Sequence, residues 1–434
     1  MSAWKKVKIG DICKIEKGLT GIASAVPGEF PLVVTAVERK TCSTYQFDCD
    51  AVCIPLVSSS GHGKKSLNNV HFQSGKFALG TILCAVIPKN PHELDARYLH
   101  QYLQFYKDTV LVPLMKGAAN VSLSMKDIAG VEVPLPPIEK QRELSAMFVS
   151  LQEKSLEFKK ETDKQVEYVK LLRQSILQNA IEGKLTEDWR KQHSVQKGDP
   201  DYDAEALFDK IQAKKLETKN SKKTVAPITQ NEIPFEIPTN WKWIQLGEII
   251  VYTENLDIQK KLKKTDLIKY VDIDSIDNKN YQIRDYKEKY VGELSSRARR
   301  ILKKDYIIYS TVRPYLCNIA IIRDDYPNYI GSTGFNVFKT TTGVIKEYIF
   351  YFLRSTYIIN LYKSIMQGFN SPSINNQQFE STCIPLPPLA EQKEIVARVE
   401  QHLQTITQLE TQIATRETLT KQLMQGLLKD AFER

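Results

Sequence analysis

The segment SSSGHGKKS, Ser58 to Ser66, sets hydroxyls, glycines, a histidine and two lysines side by side, a set of groups suited to holding phosphate. It approaches the G-x-x-x-x-G-K-S/T loop that wraps nucleotide phosphates and misses it twice: Ser58 stands in place of the first glycine and Lys65 in place of Ser or Thr. It reads either as a basic loop offering Ser60, His62, Lys64 and Lys65 to phosphates and base edges, or as a solvated surface loop. In the second half of the chain Arg297, Arg299 and Arg300, with Lys303 and Lys304, read as a phosphate clamp or as a solvated helix face. Arg313, at a strand-to-turn junction before Pro314, is placed either to read guanine with its bidentate guanidinium or to hold a structural salt bridge. The loops MKGAANVSL (Met115 to Leu123) and MQGFNSPSI (Met366 to Ile374) share a glycine that marks a φ > 0 turn, and they make Asn120 and Asn370 candidates for close approach to a phosphate.

Other chemistries find no support. Cys42, Cys49, Cys53, His62 and His71 follow no paired-knuckle spacing, and VCIPL around Cys53 reads as a buried strand, so no metal site is expected. There is no methyl-donor motif of an adenine methyltransferase, no phosphate loop and no HExxH. Cysteines without CxxC pairs suit reduced thiols, no apolar run reaches membrane-span length and MSAWKKVKIG has no signal-peptide core, so a cytoplasmic protein is expected.

The elements that must position these residues come in duplicate. WKKVKIGDI from Trp4 returns as WKWIQLGEI from Trp241, and VPLPPIEKQREL from Val133 returns as IPLPPLAEQKEI from Ile384, while the stretches between diverge. A period this long denotes tandem domains rather than a solenoid. Charge divides in the same way. Residues 1–137 carry 15 Lys and Arg against 11 Asp and Glu, and residues 241–388 carry 21 against 15, so the excess sits in the two divergent bodies, where a polyanion would be held.

After each PLPP comes a stretch free of Gly and Pro, 138–182 and 389–425, which reads as a long helix begun by prolines. Val399, Ile406 and Ile413 recur every seven residues, with Ile395, Leu409 and Leu423 on the companion seam. In the first helix Leu144, Leu151, Phe158 and Leu172 hold a seam interrupted by Lys154, Glu161 and Gln165. At 1.5 Å per residue such helices exceed one compact domain and are expected to pair with each other. The chain then divides into a first body (1–137), a central helix (138–184), a connector (185–240), a second body (241–388) and a C-terminal helix (389–434). In the connector Leu207, Phe208, Ile211 and Leu216 form one face of a short helix, followed by a polar, proline-punctuated stretch.

KLTEDWR (Lys184 to Arg190), EIPFEIPTNWKWIQLGEI (Glu232 to Ile249) and the paired PLPP-x-x-x-Q elements strongly resemble the specificity subunit of type I restriction-modification enzymes, along the whole chain. GKFALGTILCAVIP, YSTVRPYL and GSTGFNVF look like pieces of that family's target-recognition domains. The resemblance implies an α/β (α+β) fold of two target-recognition domains separated by a long antiparallel two-helix coiled coil, related by an internal pseudo-two-fold repeat. It implies a non-catalytic subunit that reads a bipartite double-stranded DNA sequence. It implies two methyltransferase subunits and two restriction subunits as partners, and it leaves S-adenosylmethionine, ATP and Mg2+ to them. A specificity subunit of another methyltransferase-nuclease architecture and a coiled-coil scaffold without sequence-specific DNA binding remain as alternatives. A stand-alone enzyme is disfavoured by the missing motifs.

Overall fold

The computed structural model describes residues 4–60, 63–217 and 228–433. The chain forms two compact units, one of residues 1–164 and 413–434, the other of residues 165–412. Each is a globular body joined to parts of two long helices.

In the first unit β1 (Lys6–Lys8) and α1 (Ile9–Ile12) lead into β2 (Cys13–Lys17), β3 (Phe30–Val33), β4 (Lys40–Cys42), β5 (Phe47–Asp48), β6 (Ala51–Pro55), β7 (His71–Gln73), β8 (Lys76–Leu79) and β9 (Leu83–Pro88). The helices α2 (Ala96–Val110) and α3 (Met125–Ala129) and the strand β10 (Glu132–Pro134) complete the body, and α4 (Ile138–Ile181) leaves it. Two four-stranded sheets form, in the orders β2-β9-β6-β7 and β4-β3-β8-β5. The apolar runs of β6 and β9 are buried on both faces because alternate side chains serve different cores. Val52, Ile54, Cys84 and Val86 face the helices, while Ala51, Cys53, Leu83 and Ala85 face the second sheet.

The second unit repeats this order. After α5 (Glu187–Gln192) and α6 (Ala204–Glu217) come β11 (Lys242–Gln245), β12 (Ile250–Tyr252), α7 (Ile258–Lys261), β13 (Leu267–Val271), β14 (Ile276–Asp277), β15 (Gln282–Ile283), β16 (Lys287–Tyr290), β17 (Ala298–Ile301), β18 (Ile307–Ser310), β19 (Ile319–Ile321), β20 (Tyr329–Ser332) and β21 (Phe335–Thr340). Helices α8 (Lys346–Phe352), α9 (Thr356–Ile365) and α10 (Asn376–Glu380), strand β22 (Cys383–Leu386) and helix α11 (Leu389–Glu433) follow. The sheets β12-β21-β18-β19 and β16-β13-β20-β17 match those of the first body strand for strand, and the β14-β15 hairpin is added. Even the single parallel pair recurs, β3 with β8 and β13 with β20.

The strings duplicated in sequence pair with each other in space. Lys6, Val7 and Lys8 lie opposite Pro134, Val133 and Glu132, while Trp243, Ile244 and Gln245 lie opposite Pro385, Ile384 and Cys383. These two-stranded ribbons frame each body. The Tyr98 hydroxyl donates to Pro134 O (3.0 Å) and the Tyr348 hydroxyl to Pro385 O (2.7 Å). The glutamine of PLPP-x-x-x-Q is fully buried in both copies. The Gln141 amide donates to Glu93 O and Pro136 O (2.8 Å each) while its Oε1 accepts from Asp95 N (2.8 Å). Gln392 repeats this with Gly343 O (3.4 Å), Pro387 O (2.9 Å) and Ile345 N (2.9 Å). Each glutamine thus ties the long helix to the entry of its body's helical layer through backbone groups.

Within each unit the long helices run antiparallel. In the first, Leu144 and Phe148 near the start of α4 share a core with Leu428 and Phe432 near the end of α11. In the second, Arg173 near the end of α4 pairs with Glu410 (3.0 Å), and Glu391 in the first turn of α11 accepts from Thr186 (2.7 Å), Arg190 (2.5 Å) and Trp241 (2.8 Å). The expected seam holds at Leu144, Val399 and Ile406, which are buried, and at Leu151, Phe158 and Ile413, which are half-buried. It fails at Leu172, Leu409 and Leu423, which are 45%, 38% and 64% exposed. A straight helix drifts about 20° per heptad against a strict seven-residue repeat, so the buried stripe slips by one position. Arg173 and Met424 take inward places, while Glu410 stays exposed and reaches Arg173 from the rim. Of the expected interruptions Gln165 is half-buried, whereas Lys154 and Glu161 are exposed and Thr162 is buried instead.

The C-terminal helix also passes through Gly426, beyond the 425 limit expected from the absence of Gly and Pro. A mid-helix glycine costs about 1 kcal/mol. Burial of Phe432 against Tyr98, Tyr102 and Phe105 offsets it. In the connector Leu207 and Ile211 are buried and pack over Gly343, while Leu216 is 75% exposed and leaves the expected apolar face. No described helix is long and apolar enough to cross a membrane.

Candidate nucleic-acid interface

Two unlike motifs picked out in sequence occupy one structural position. In the first body the chain leaving β6 runs beside the 115–123 loop: Ser58 N donates to Val121 O (3.0 Å) and Leu123 N to Leu56 O (2.9 Å). In the second the chain leaving β18 runs beside the 366–374 loop, with Arg313 N donating to Pro372 O (2.7 Å) and Ile374 N to Thr311 O (3.0 Å). Each loop is itself a small hairpin. Lys116 and Ser122 exchange backbone hydrogen bonds of 2.8 Å, and Gln367 and Ser373 exchange bonds of 2.9 Å. The shared glycines supply the left-handed turn, with φ of +122° at Gly117 and +106° at Gly368, and a Cβ on Gly117 would stand 2.2 Å from Asn120 O. Ser58 and Arg313 are therefore counterparts, and each body presents a two-loop tip at the same end of the same strand.

In the first body the serines shape the loop. The Ser58 hydroxyl donates to Lys64 O (2.6 Å) and accepts from Ser66 N (3.2 Å), the Ser60 and Ser66 hydroxyls share a 2.6 Å bond, and Asn68 N donates to Ser59 Oγ (3.0 Å). Ser60 is thus engaged inside the loop, while Lys64 and Lys65 are exposed and in no ion pair among the described residues. His62 lies outside the described residues. A Cβ on Gly63 would stand 3.0 Å from Ala118 O, so this loop rests on the hairpin tip, next to the exposed Asn120.

Arg313 has a left-handed backbone (φ +48°), and its side chain donates to Asn370 O (3.1 Å). The salt bridge, one of its two readings, is absent among the described residues: the guanidinium braces the 366–374 loop through a carbonyl and remains exposed. Asn370, whose carbonyl it holds, has an exposed side chain. The structure brings these two candidates together.

The stretch around Arg297, Arg299 and Arg300 is strand β17 with a bulge, not a helix face, because Ala298 pairs with Ser332, and Arg300 and Ile301 with Gly331 and Ile330. Arg300 is half-buried, donates to Asn255 Oδ1 (2.9 Å), and burial holds its pKa below the usual arginine value. Arg297 and Arg299 are exposed, the latter donating to Ser296 O (2.8 Å). Lys303 and Lys304 are exposed on the turn entering β18, at the opposite end of that strand from Arg313.

Cys53 is buried in β6 as expected and lies directly across the ladder from His71. No three His, Cys, Asp or Glu side chains converge as a metal set among the described residues. His71 instead meets Arg39 Nη1 at 3.2 Å, and burial, with Arg39 beside it, pushes its pKa down to about 4. Burial pushes the Cys13 and Cys84 thiols up to about 12.

Sequence reasoning passed over two features of the second tip. The β14-β15 hairpin reaches the Arg313 segment through Asn278 Nδ2, which donates to Leu316 O (3.3 Å), and carries the exposed Lys279. Its signal was the DNKN turn, in which Asp277 accepts from Lys279 N (2.9 Å) and Asn280 N (3.2 Å). The other is Phe369, wholly exposed at the hairpin tip.

Two bodies on one frame, each with a divergent loop tip and an excess of cations, define a tandem DNA-specificity architecture. The chain belongs to the type I restriction-modification DNA specificity family, whose specificity domain matches residues 1–168 and again 238–416. It is 24% identical to the type I restriction enzyme EcoDI specificity subunit of Escherichia coli, over 99% of this chain and 88% of that one. It is 23% identical to the MjaVIII specificity subunit of Methanocaldococcus jannaschii, over 91% and 85%. The fold is shared with the HsdS subunit from Thermoanaerobacter tengcongensis (TM-score 0.59, 16% identity, 99% and 96% covered). It is also shared with a chain from a structure of type I restriction-modification complex assembly and conformational transition (TM-score 0.62, 16% identity, 100% and 98% covered). The protein is a type I restriction-modification specificity subunit with two specificity domains.

Proposed function

We propose that this subunit reads a bipartite double-stranded DNA target, one half with each two-loop tip, and performs no chemistry itself. The observation that carries the reading is the equivalence of Ser58 and Arg313: one backbone scaffold holds different side chains at the same place, as two readers of different half-sites require. Lys64, Lys65, Asn120 and the first hairpin form one reading surface, and Arg313, Asn370 and Lys279 form the other. Arg297, whose carbonyl accepts from Thr333 N (2.7 Å) next to Gly334, the partner of the Thr311 segment, sits on the tip side of β17, while Lys303 and Lys304 lie at the far end of β18. Together with Arg299 they act as backbone-positioning cations.

Two methyltransferase subunits and two restriction subunits complete the complex and supply the S-adenosylmethionine, ATP and Mg2+ chemistry. Apolar side chains left exposed along the long helices support partner docking, among them Leu156, Val166, Leu171 and Leu172 on α4 and Leu419 and Leu423 on α11. The deciding experiment replaces residues 13–132 with another body on the same frame and maps methylation in cells carrying the methyltransferase. One half of the recognised sequence changes and the other stays. A change in both halves overturns independent reading, and methylation or cleavage by the purified chain alone overturns the non-catalytic role.

A further inference from the structure

Phe369 is 100% exposed, whereas the next most exposed large hydrophobics among the described residues, Leu19 and Leu216, stand at 75%. No described residue packs against its ring. The residues around it are nonetheless firmly held. Gly368 makes the left-handed turn (φ +106°), Gln367 and Ser373 close the hairpin with bonds of 2.9 Å, and Arg313 grips it twice, at Pro372 O (2.7 Å) and Asn370 O (3.1 Å). The ring is therefore displayed from a braced tip. In the first body the same position is Ala118, and the long 56–70 loop rests on it at Gly63. In the second body the segment joining β18 to β19 is short and leaves the tip open.

The surroundings select the occupant. The exposed Arg313 guanidinium holds the carbonyl of the next residue, Asn370, and the exposed polar residues Asn370 and Ser371 follow Phe369 in the hairpin, a neighbourhood matched to nucleic acid rather than to an apolar protein groove. An aromatic ring projecting from a cationic tip is the form of side chain that enters a base step and unstacks it. We propose that Phe369 is a wedge that enters the base stack of the half-site bound by the second body. The second body thereby reads the deformability of a step as well as base edges. This rests on the DNA-reading role of that body.

The test uses the full chain co-purified with its methyltransferase, as wild type, Phe369→Ala and Phe369→Trp, on cognate and random duplexes, with 2-aminopurine placed along the half-site. Loss of one stacking contact predicts cognate affinity falling roughly 5- to 150-fold for Phe369→Ala, with an unchanged salt slope, melting temperature and methyltransferase content. Phe369→Trp retains affinity. Wild-type binding raises 2-aminopurine fluorescence at one step, and Phe369→Ala abolishes the rise. Wild-type affinity in the alanine variant, or a loss confined to methyltransferase co-purification, overturns the wedge while leaving DNA reading intact. A wild-type complex without sequence preference overturns both.

Discussion

Arg313 gives the sharpest separation between holding the fold and reading DNA. Its backbone contributes independently of its side chain, since Arg313 N donates to Pro372 O (2.7 Å) in any variant but proline. The left-handed φ of +48° costs alanine or lysine as much as arginine. The side chain adds one exposed hydrogen bond to Asn370 O (3.1 Å), worth about 0.5 to 1.5 kcal/mol and at the lower end where water competes. Arg313→Ala therefore lowers the melting temperature by only about 2 to 4 °C. If the remaining guanidinium nitrogens read a base, the same change costs about 1 to 3 kcal/mol on cognate DNA, or roughly 5- to 150-fold, with preference relaxed at one position. Arg313→Lys keeps the charge and loses the fork, so binding to random DNA survives while most of the preference goes. Arg313→Gly relieves the backbone and is about 1 kcal/mol more stable than the alanine variant, without recovering preference. The assay is titration of cognate and random duplexes across a salt series, beside thermal unfolding. Equal losses on both DNAs with an unchanged salt slope, or recovery of specificity in Arg313→Gly, would refute base reading by the side chain.

The other expectations concern separate parts of the molecule. Lys64→Ala with Lys65→Ala weakens binding to all sequences and flattens the salt dependence by roughly one unit of slope per lost phosphate contact, whereas a solvated loop would leave the slope alone. Gln392→Leu strands Ile345 N and the carbonyls of Gly343 and Pro387 in a fully buried site, at about 1 to 3 kcal/mol in urea unfolding; Gln141→Leu reports the same for the first body. His71 is held neutral, with its pKa down at about 4, so the unfolded chain binds the extra proton between pH 6.5 and 4 and stability falls as pH drops through that window. His71→Phe should flatten this slope in acid unfolding, and an unchanged profile would assign the loss to other groups. Four residues inserted after Lys164 in α4 and four after Gln412 in α11 add about 6 Å of rise and about 40° of turn. The unread gap in the methylated motif should widen by roughly one or two base pairs at about 3.4 Å each; an active variant with an unaltered gap would show that the helices do not set it.

The duplicated frame was legible in the sequence because its strings pair with each other, as Val7 with Val133 and Ile244 with Ile384 do, so both halves of each contact repeat together. Strand β6 was legible because burial on both faces leaves a continuous apolar run. The helix seam was legible only where strict heptads and helix geometry agree. Leu172, Leu409 and Leu423 were lost to angular drift, which no single position reveals. The helix face offered as one reading of Arg297 to Arg300 is a strand instead, because four charged or small residues carry little period and only pairing with β20 makes it one. Phe369 was invisible for another reason: in sequence a phenylalanine beside a glycine is as good a core residue as a displayed one, and only its lack of neighbours tells them apart.

The frame also explains how the bodies can diverge without unfolding. Its ties run to backbone: Gln141 and Gln392 bond to amides and carbonyls, Tyr98 and Tyr348 to proline carbonyls, and within each ribbon strand bonds to strand. Backbone groups do not change when side chains do. The tip follows the same rule, since Ser58 N and Arg313 N make equivalent bonds whatever their side chains are. The β6-to-β7 and β18-to-β19 connections can therefore differ in length, and a whole hairpin can enter between β13 and β16, without disturbing the core behind them. A scaffold braced through its main chain leaves the tip side chains free to vary, and under the proposed reading this separation of holding from reading is what would let one fold, used twice in one chain, face two different sequences.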